Sequence, residues 1–171
     1  KHSQKHHNPF ARPEISPLSL SVLCSCLLLL AGGGEIDYNE LNKALRKRGK
    51  ADRAALMEGW GVYMHFAMGA MAQLPVVEAD CYRGYPDKDA ALKEYKLGRP
   101  IQWGAFSSTT TDFEAAKGFT NKATGVIFKI AVTDGRDIGP FSFFPQESEV
   151  LLSPSHRFTV SSKPYERDGY T

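Results

Sequence analysis

Three polar clusters interrupt apolar, strand-like stretches of the chain, and each carries groups that could do chemistry. Arg83 stands between Tyr82 and Gly84, and its bidentate fork suits a phosphate. Ser107-Ser108-Thr109-Thr110-Thr111 follows the aromatic Phe106 and offers a row of hydroxyls. Gln146-Glu147-Ser148-Glu149 comes just before Val150-Leu151-Leu152. In an extended chain Glu147 and Glu149 project to the same side. Two carboxylates on one face repel unless a cation comes between them or they share a task. One such task is to stabilise a cationic transition state. Each cluster also has an ordinary reading: a surface or ion-paired arginine, a β-edge or helix cap, a solvated strand face.

The elements that must position these clusters follow from periodicity. Leu41, Ala44 and Leu45 predict a short amphipathic helix over residues 38–47. Leu56, Trp60, Tyr63, Phe66/Ala67, Ala70/Met71 and Leu74 recur every three to four residues and predict a longer one over 51–74, ended by Pro75. That stripe reads as core. From Val76 the period becomes two, and residues 76–85 read as a strand carrying Arg83. A short helix over 89–96 ends at Gly98, and a second strand runs from Ile101 to Thr109. Thr111 and Glu114 have the spacing of a capping box, so a helix is expected to start there and run through Phe119. Residues 126–132, 149–152 and 157–160 read as further strands. Helices first and strands later predict an α+β fold with a mainly antiparallel sheet system.

Composition excludes several classes. The chain has 171 residues (18.9 kDa), 42% hydrophobic and 23% charged, which suits one globular domain. Lys+Arg is 21 against Asp+Glu 19, a net charge of +2 that is too even for a nucleic-acid binder. The densest basic stretch, Arg46-Lys47-Arg48-Gly49-Lys50, reads as a solvated helix end favoured by the helix dipole. Cys24 and Cys26 are too close for a zinc knuckle, the histidines lack partners at ligand spacing, and no metal site is expected. Cys81 reads as a small buried hydrophobe. No glycine-rich dinucleotide fingerprint, P-loop, H-E-x-x-H or G-x-S-x-G occurs, which disfavours redox Rossmann and P-loop enzymes.

Residues 1–34 are a separate question. A polar start, an apolar run from Leu18 to Leu30, and Ala31-Gly32-Gly33-Gly34 have the outline of a secretory signal. The run is shorter than the roughly 20 residues that a bilayer span needs. An N-terminal extension or a core helix is the other reading. Export, or membrane contact through residues 18–31, is the expectation attached to this segment.

In order and spacing, Tyr82-Arg83-Gly84, Phe106-Ser107-Ser108-Thr109-Thr110 and Glu147-Ser148-Glu149-Val150-Leu151-Leu152 resemble the mono-ADP-ribosyltransferases of the Arg-Ser-Glu triad class. Tyr38 with Asn42-Lys43-Ala44-Leu45-Arg46 resembles the family's first-helix motif. Trp103, Ala115/Ala116, Phe119, Asp137-Ile138 and Phe158-Thr159-Val160 also fit. The resemblance covers residues 35–162, which makes 163–171 a tail. One departure is visible: the family's Ser-Thr-Ser is here Ser108-Thr109-Thr110, which keeps a hydroxyl at each place.

The resemblance implies a split β-sandwich with N-terminal helices and NAD in a cleft between the two sheets. NAD would be a substrate, not a redox cofactor. The implied activity is that of an NAD(P)(+)–protein-arginine ADP-ribosyltransferase, which moves ADP-ribose to an arginine of an unknown protein target and releases nicotinamide. By the same resemblance Arg83 grips the NAD phosphates and the nicotinamide ribose, and Gly84 lets the nicotinamide amide approach the backbone. Ser108 orients Glu149, and Glu149 bonds the ribose 2′-hydroxyl beside the developing cation. Glu147 takes the target guanidinium; a Glu in this place resembles the arginine-modifying members. Tyr82 and Thr109 complete the NAD contacts, and Phe119 is either a stacking partner for nicotinamide or a helix residue of the core. An NAD glycohydrolase with the same site and a non-catalytic NAD-binding module are the competing readings.

Overall fold

The computed structural model describes residues 38–142 and 145–171. The extension over 1–34, with its apolar run, lies outside the described residues. Tyr38–Arg46 forms α1 and Lys50–Gln73 forms α2. Leu41 of α1 is fully buried, while Tyr38, Asn42 and Arg46, four residues apart, share another face of the helix. α2 ends where the Leu74 N–H bonds the Met71 carbonyl and Pro75 withholds the next donor. Among the described residues no helix is long and apolar enough to cross a membrane.

The strands are β1 (Val76–Tyr85), β2 (Pro100–Trp103), β3 (Ser107–Thr110), β4 (Val126–Asp137), β5 (Glu149–Leu152) and β6 (His156–Thr159). Short helices α3 (Lys88–Glu94) and α4 (Phe113–Lys117) connect them, with 3₁₀ turns at Gly139–Phe141 and Pro145–Glu147. β1, β3, β5 and β4 close a barrel in that order, and β2 pairs with β6 in a separate ribbon. Every pairing is antiparallel, so the fold is α+β with its β layer split in two.

Two details differ from the periodicity. The strand expected over 101–109 is broken at Gly104-Ala105-Phe106, because its halves serve different sheets. Gly104 passes under the end of α1, where a Cβ would come within 3.0 Å of the Leu45 carbonyl oxygen, and Ala105 and Phe106 turn into the core. The cap of α4 is Asp112 rather than Thr111: its carboxylate accepts the Glu114 N–H at 2.8 Å, and Glu114 itself turns to Lys117 at 2.6 Å. α4 then stops at Lys117, which leaves Phe119 beyond it.

β5 lacks the alternation of a half-exposed strand because both of its faces are covered. Val150 and Leu152 pack with Cys81, Ile130 and Val132, with Trp103, Phe128 and Phe158 laid against them. Leu151 points the other way, into a core with Leu41, Ala67, Met71 and Phe106 that joins the barrel to both helices. Cys81 is buried as a small hydrophobe.

Residues 163–171, read from the sequence as a tail, return to the barrel. Arg167 lies 3.9 Å from the Phe113 ring centroid, Asp168 pairs with Lys117 at 3.3 Å, and the Thr171 carbonyl accepts the Ile127 N–H at 2.9 Å. Asp168 and Gly169 both have positive φ (53° and 79°), as the mirror-image turn joining Arg167 to Tyr170 requires.

A close approach of backbone to backbone occurs at Gly84. A Cβ there would lie 2.8 Å from the Ala116 carbonyl oxygen and 2.9 Å from the Phe119 carbonyl carbon. Glycine at this place lets α4 and the chain after it close onto β1. Gly84→Ala is therefore expected to destabilise the domain by about 1–3 kcal/mol, the usual cost of overpacking, in urea unfolding followed by tryptophan fluorescence. An unchanged midpoint would show that the α4 segment is free to move away.

Candidate active site

A cleft of about 420 Å³ is lined by all the residues that the sequence assigns to NAD binding or catalysis. Tyr82, Arg83 and Gly84 come from β1, Ser108 and Thr109 from β3, and Glu149 from the first position of β5. Phe119 and Glu147 complete the set. No residue of β2 or β6 lines it directly; β2 reaches it through Trp103, behind Arg83. The cleft lies between the helix-facing side of the barrel and α1. The cause is pleat parity: Glu149 shares a side of β5 with Leu151, which faces the helices. A second cavity of about 460 Å³ does lie toward the ribbon, among Trp103, Phe128, Phe158 and Tyr165.

β3 and β5 set the geometry around Glu149. Thr110 is opposite Glu149 and Ser108 opposite Leu151, so Ser108 and Glu149 are diagonal neighbours on one face. The Ser108 and Ser142 hydroxyls stand beside the Glu149 carboxylate and favour its charged form. Burial pushes the Glu149 carboxyl above the usual carboxylate range, and the charge of Glu147 pushes it further. The hydroxyls of Ser108 and Ser142 and the charge of Arg83 work the other way.

Arg83 is held from two sides. Its Nη1 donates to the Ser108 carbonyl oxygen, and its guanidinium carbon stands 5.6 Å from the Trp103 ring centroid. The Trp103 ring is itself fixed by an Nε1–H donated to the Tyr95 hydroxyl at 2.8 Å and by an edge contact with Phe158. Burial lowers the Arg83 pKa and so does the charge of Arg46, whereas Tyr95 and Glu149 oppose the change. Two guanidinium groups thus sit close enough to feel one another, an arrangement that favours an anion between them.

The relation of Glu147 to Glu149 is not that of an extended chain. Glu147 ends a 3₁₀ turn, and Ser148 between them has φ 47°. This left-handed residue, which costs a non-glycine roughly 1–2 kcal/mol, takes the place of the pleat. Both carboxylates still line the same cleft. Thr109 is buried, and its hydroxyl donates to the Val150 carbonyl at 2.7 Å, so that group is committed to the sheet. Tyr82 packs edge-on against Phe113, with ring centroids 5.3 Å apart. Phe119 is 56% exposed, outside both the helix and the core, and free to stack on a planar ligand.

A family model for NAD:arginine ADP-ribosyltransferase matches residues 27–171. The chain belongs to the NAD:arginine ADP-ribosyltransferase family. Among its relatives, the Mav protein of Mycobacterium avium (strain 104) is 34% identical over 126 residues, which are 74% of this chain and 14% of Mav. Ecto-ADP-ribosyltransferase 5 of Homo sapiens is 28% identical over 138 residues, 77% of this chain and 46% of that protein. The chain therefore spans less than half the length of either relative. The crystal structure of ADP-ribosyltransferase HopU1 of Pseudomonas syringae pv. Tomato DC3000 matches with a TM-score of 0.71 at 25% identity, over 86% of this chain and 72% of that one. ADP-ribosyltransferase Vis, from Vibrio splendidus and in complex with agmatine, has the same fold with a TM-score of 0.66 at 22% identity, over 92% and 73%.

The cleft also has a wall built from residues outside the three polar clusters. Tyr38, Asn39, Asn42 and Arg46 of α1 line it. The signal was present, since positions 38, 42 and 46 are four apart and share a helix face. The Arg46 end of α1 is a cleft wall rather than only a solvated terminus. The Asn42 Oδ1 is buried and meets no donor among the described residues, which suits a ligand hydroxyl or amino group. Also among the described residues, no group of three or more His, Cys, Asp or Glu side chains is placed to hold a metal ion.

The electrostatics of Glu149 can be measured directly. Glu147→Gln removes a charge that disfavours the carboxylate and is expected to lower the Glu149 pKa. Ser108→Ala removes a donor that favours it and is expected to raise the pKa. Carbon-13 carboxyl shifts followed against pH give both values. A Glu149 titration unmoved by either change would place its carboxyl away from both groups.

Proposed function

We propose that this domain transfers ADP-ribose from NAD to an arginine guanidinium of a protein target, releasing nicotinamide. The observation that carries the reading is Glu149, half-buried against the Ser108 hydroxyl in the same cleft as Glu147 and Arg83. Arg83 and Arg46 would take the NAD diphosphate, since an anion relieves the repulsion between their guanidinium groups. Asn42 would accept from a ribose hydroxyl or the adenine amino group, and Phe119 would stack on the nicotinamide ring.

The bond to break joins the nicotinamide nitrogen to the ribose C1′. Its electron pair leaves with the nitrogen, so nicotinamide departs neutral and positive charge develops on the ribose. That charge is spread as in glycoside hydrolysis. A carboxylate favours the developing cation more than it favours ground-state NAD, and this difference is catalysis. Glu149 supplies it, with Ser108 holding its orientation. The incoming guanidinium is protonated at neutral pH and a poor nucleophile. Glu147 would orient it and accept one proton as the bond to C1′ forms. Water does not need that group as strictly, so Glu147 separates transfer from hydrolysis.

The test is incubation with labelled NAD, with and without agmatine, following nicotinamide release and adduct formation together. Glu149→Gln is expected to lower both by about 10² to 10³, the usual effect of removing one electrostatic partner of a transition state. Retention of both within a few-fold would remove Glu149 from the reaction. Glu147→Gln is expected to abolish the agmatine adduct while sparing much of the hydrolysis. Equal loss of the two would place Glu147 in NAD cleavage and take away the main support for an arginine acceptor.

A further inference from the structure

Thr110 stands where the resembling family has serine, and it keeps a hydroxyl. In the fold that hydroxyl is fully used. Its Oγ1 donates to the Glu147 carbonyl oxygen at 2.6 Å and accepts the Asp112 N–H at 2.9 Å. Thr110 is 5% exposed and ends β3, while Asp112 caps α4. One side chain therefore joins three pieces of chain: the end of β3, the start of α4, and the turn that carries Glu147.

That turn needs fastening. Pro145–Glu147 is a single 3₁₀ turn, and Ser148 leaves it in the left-handed region at φ 47°. A second tie is the Thr111 N–H, which donates to the Ser148 carbonyl at 3.3 Å, longer and made by backbone alone. Glu149, in contrast, is held by strand pairing: it lies opposite Thr110 on β3, and its carbonyl accepts the Ile138 N–H at 3.2 Å. The two carboxylates are thus anchored by different means. Glu149 belongs to the barrel, whereas among the described residues the turn of Glu147 is tied by the Thr110 hydroxyl and one longer backbone bond.

We infer that Thr110 is a positioning residue for Glu147, and that its hydroxyl sets the ratio of transfer to hydrolysis without itself touching NAD or the acceptor. The inference rests on the transferase reading above and adds to it a residue that acts through the glutamate. Loss of the hydroxyl frees the Glu147 carbonyl and leaves the turn to rotate about Ser148. The acceptor guanidinium then meets a carboxylate that is no longer pre-placed, whereas NAD cleavage by Glu149 goes on.

The experiment compares Thr110→Val, which has nearly the same shape without the hydroxyl, with Thr110→Ser, which keeps it. Agmatine adduct formation and nicotinamide release in the absence of agmatine are measured on the same preparation. Their ratio does not depend on the folded fraction, so a partly unfolded variant still gives an answer. Thr110→Val is expected to lower the ratio by about tenfold, the equivalent of one lost hydrogen bond of the stronger kind, with a raised agmatine KM and an unchanged NAD KM. Thr110→Ser is expected to restore the wild-type ratio. An unchanged ratio in Thr110→Val, or a Thr110→Ser ratio as low as that of valine, would overturn the positioning role. If the wild-type domain releases nicotinamide but forms no adduct, the transferase reading falls together with this inference. If it forms the adduct and only the ratio fails to move, the transferase reading stands.

Discussion

A strand of four residues, Glu149–Leu152, has to be buried on both faces, and the rest of the molecule is arranged around that requirement. One face must be covered by α1 and α2 through Leu151, the other by the inner side of the barrel and the aromatic residues behind it through Val150 and Leu152. Burial of three large aliphatic side chains in succession is favourable by several kcal/mol, at about 1.5–3 kcal/mol each. The same burial carries Glu149 with it. The residue that starts the strand cannot be moved out to water without pulling the strand from between two cores.

That constraint explains the electrostatics of the cleft. A carboxylate brought into partial burial resists ionising, and the fold answers with two hydroxyl donors and the charge of Arg83. Arg83 is in turn a desolvated cation, steadied by the Ser108 carbonyl and the face of Trp103. Ser108 thus serves both charges, with its hydroxyl toward Glu149 and its backbone oxygen toward Arg83. The ribbon of β2 and β6 does not touch the cleft. It acts on it through Trp103, whose ring is locked by Tyr95 and Phe158.

The candidate site was legible in the sequence because its polar groups interrupt otherwise apolar stretches. An arginine, a hydroxyl run and a close pair of glutamates each interrupt apolar sequence, and their order carried the family. Helix and strand positions followed from periodicity. What could not be read is where the chain changes layers. Both halves of residues 101–109 keep a period of two, and nothing local shows that Gly104 passes beneath Leu45. The turn at Glu147 was hidden for a similar reason, since Ser148 takes a positive φ without the glycine that usually marks one. The α1 wall of the cleft was readable in spacing, but the basic run after it drew Arg46 into the description of a solvated end.

The break between Glu147 and Glu149 has an evolutionary side. A pair fixed by one strand would have to change together, because any shift of one carboxylate would shift the other and disturb the core beneath both. Here a left-handed serine uncouples them: Glu149, proposed to act on NAD, is set by the barrel, and Glu147, proposed to meet the acceptor, is set by a turn at its edge. On the proposed roles, the acceptor side of the cleft could change at the turn without disturbing the strand that holds Glu149.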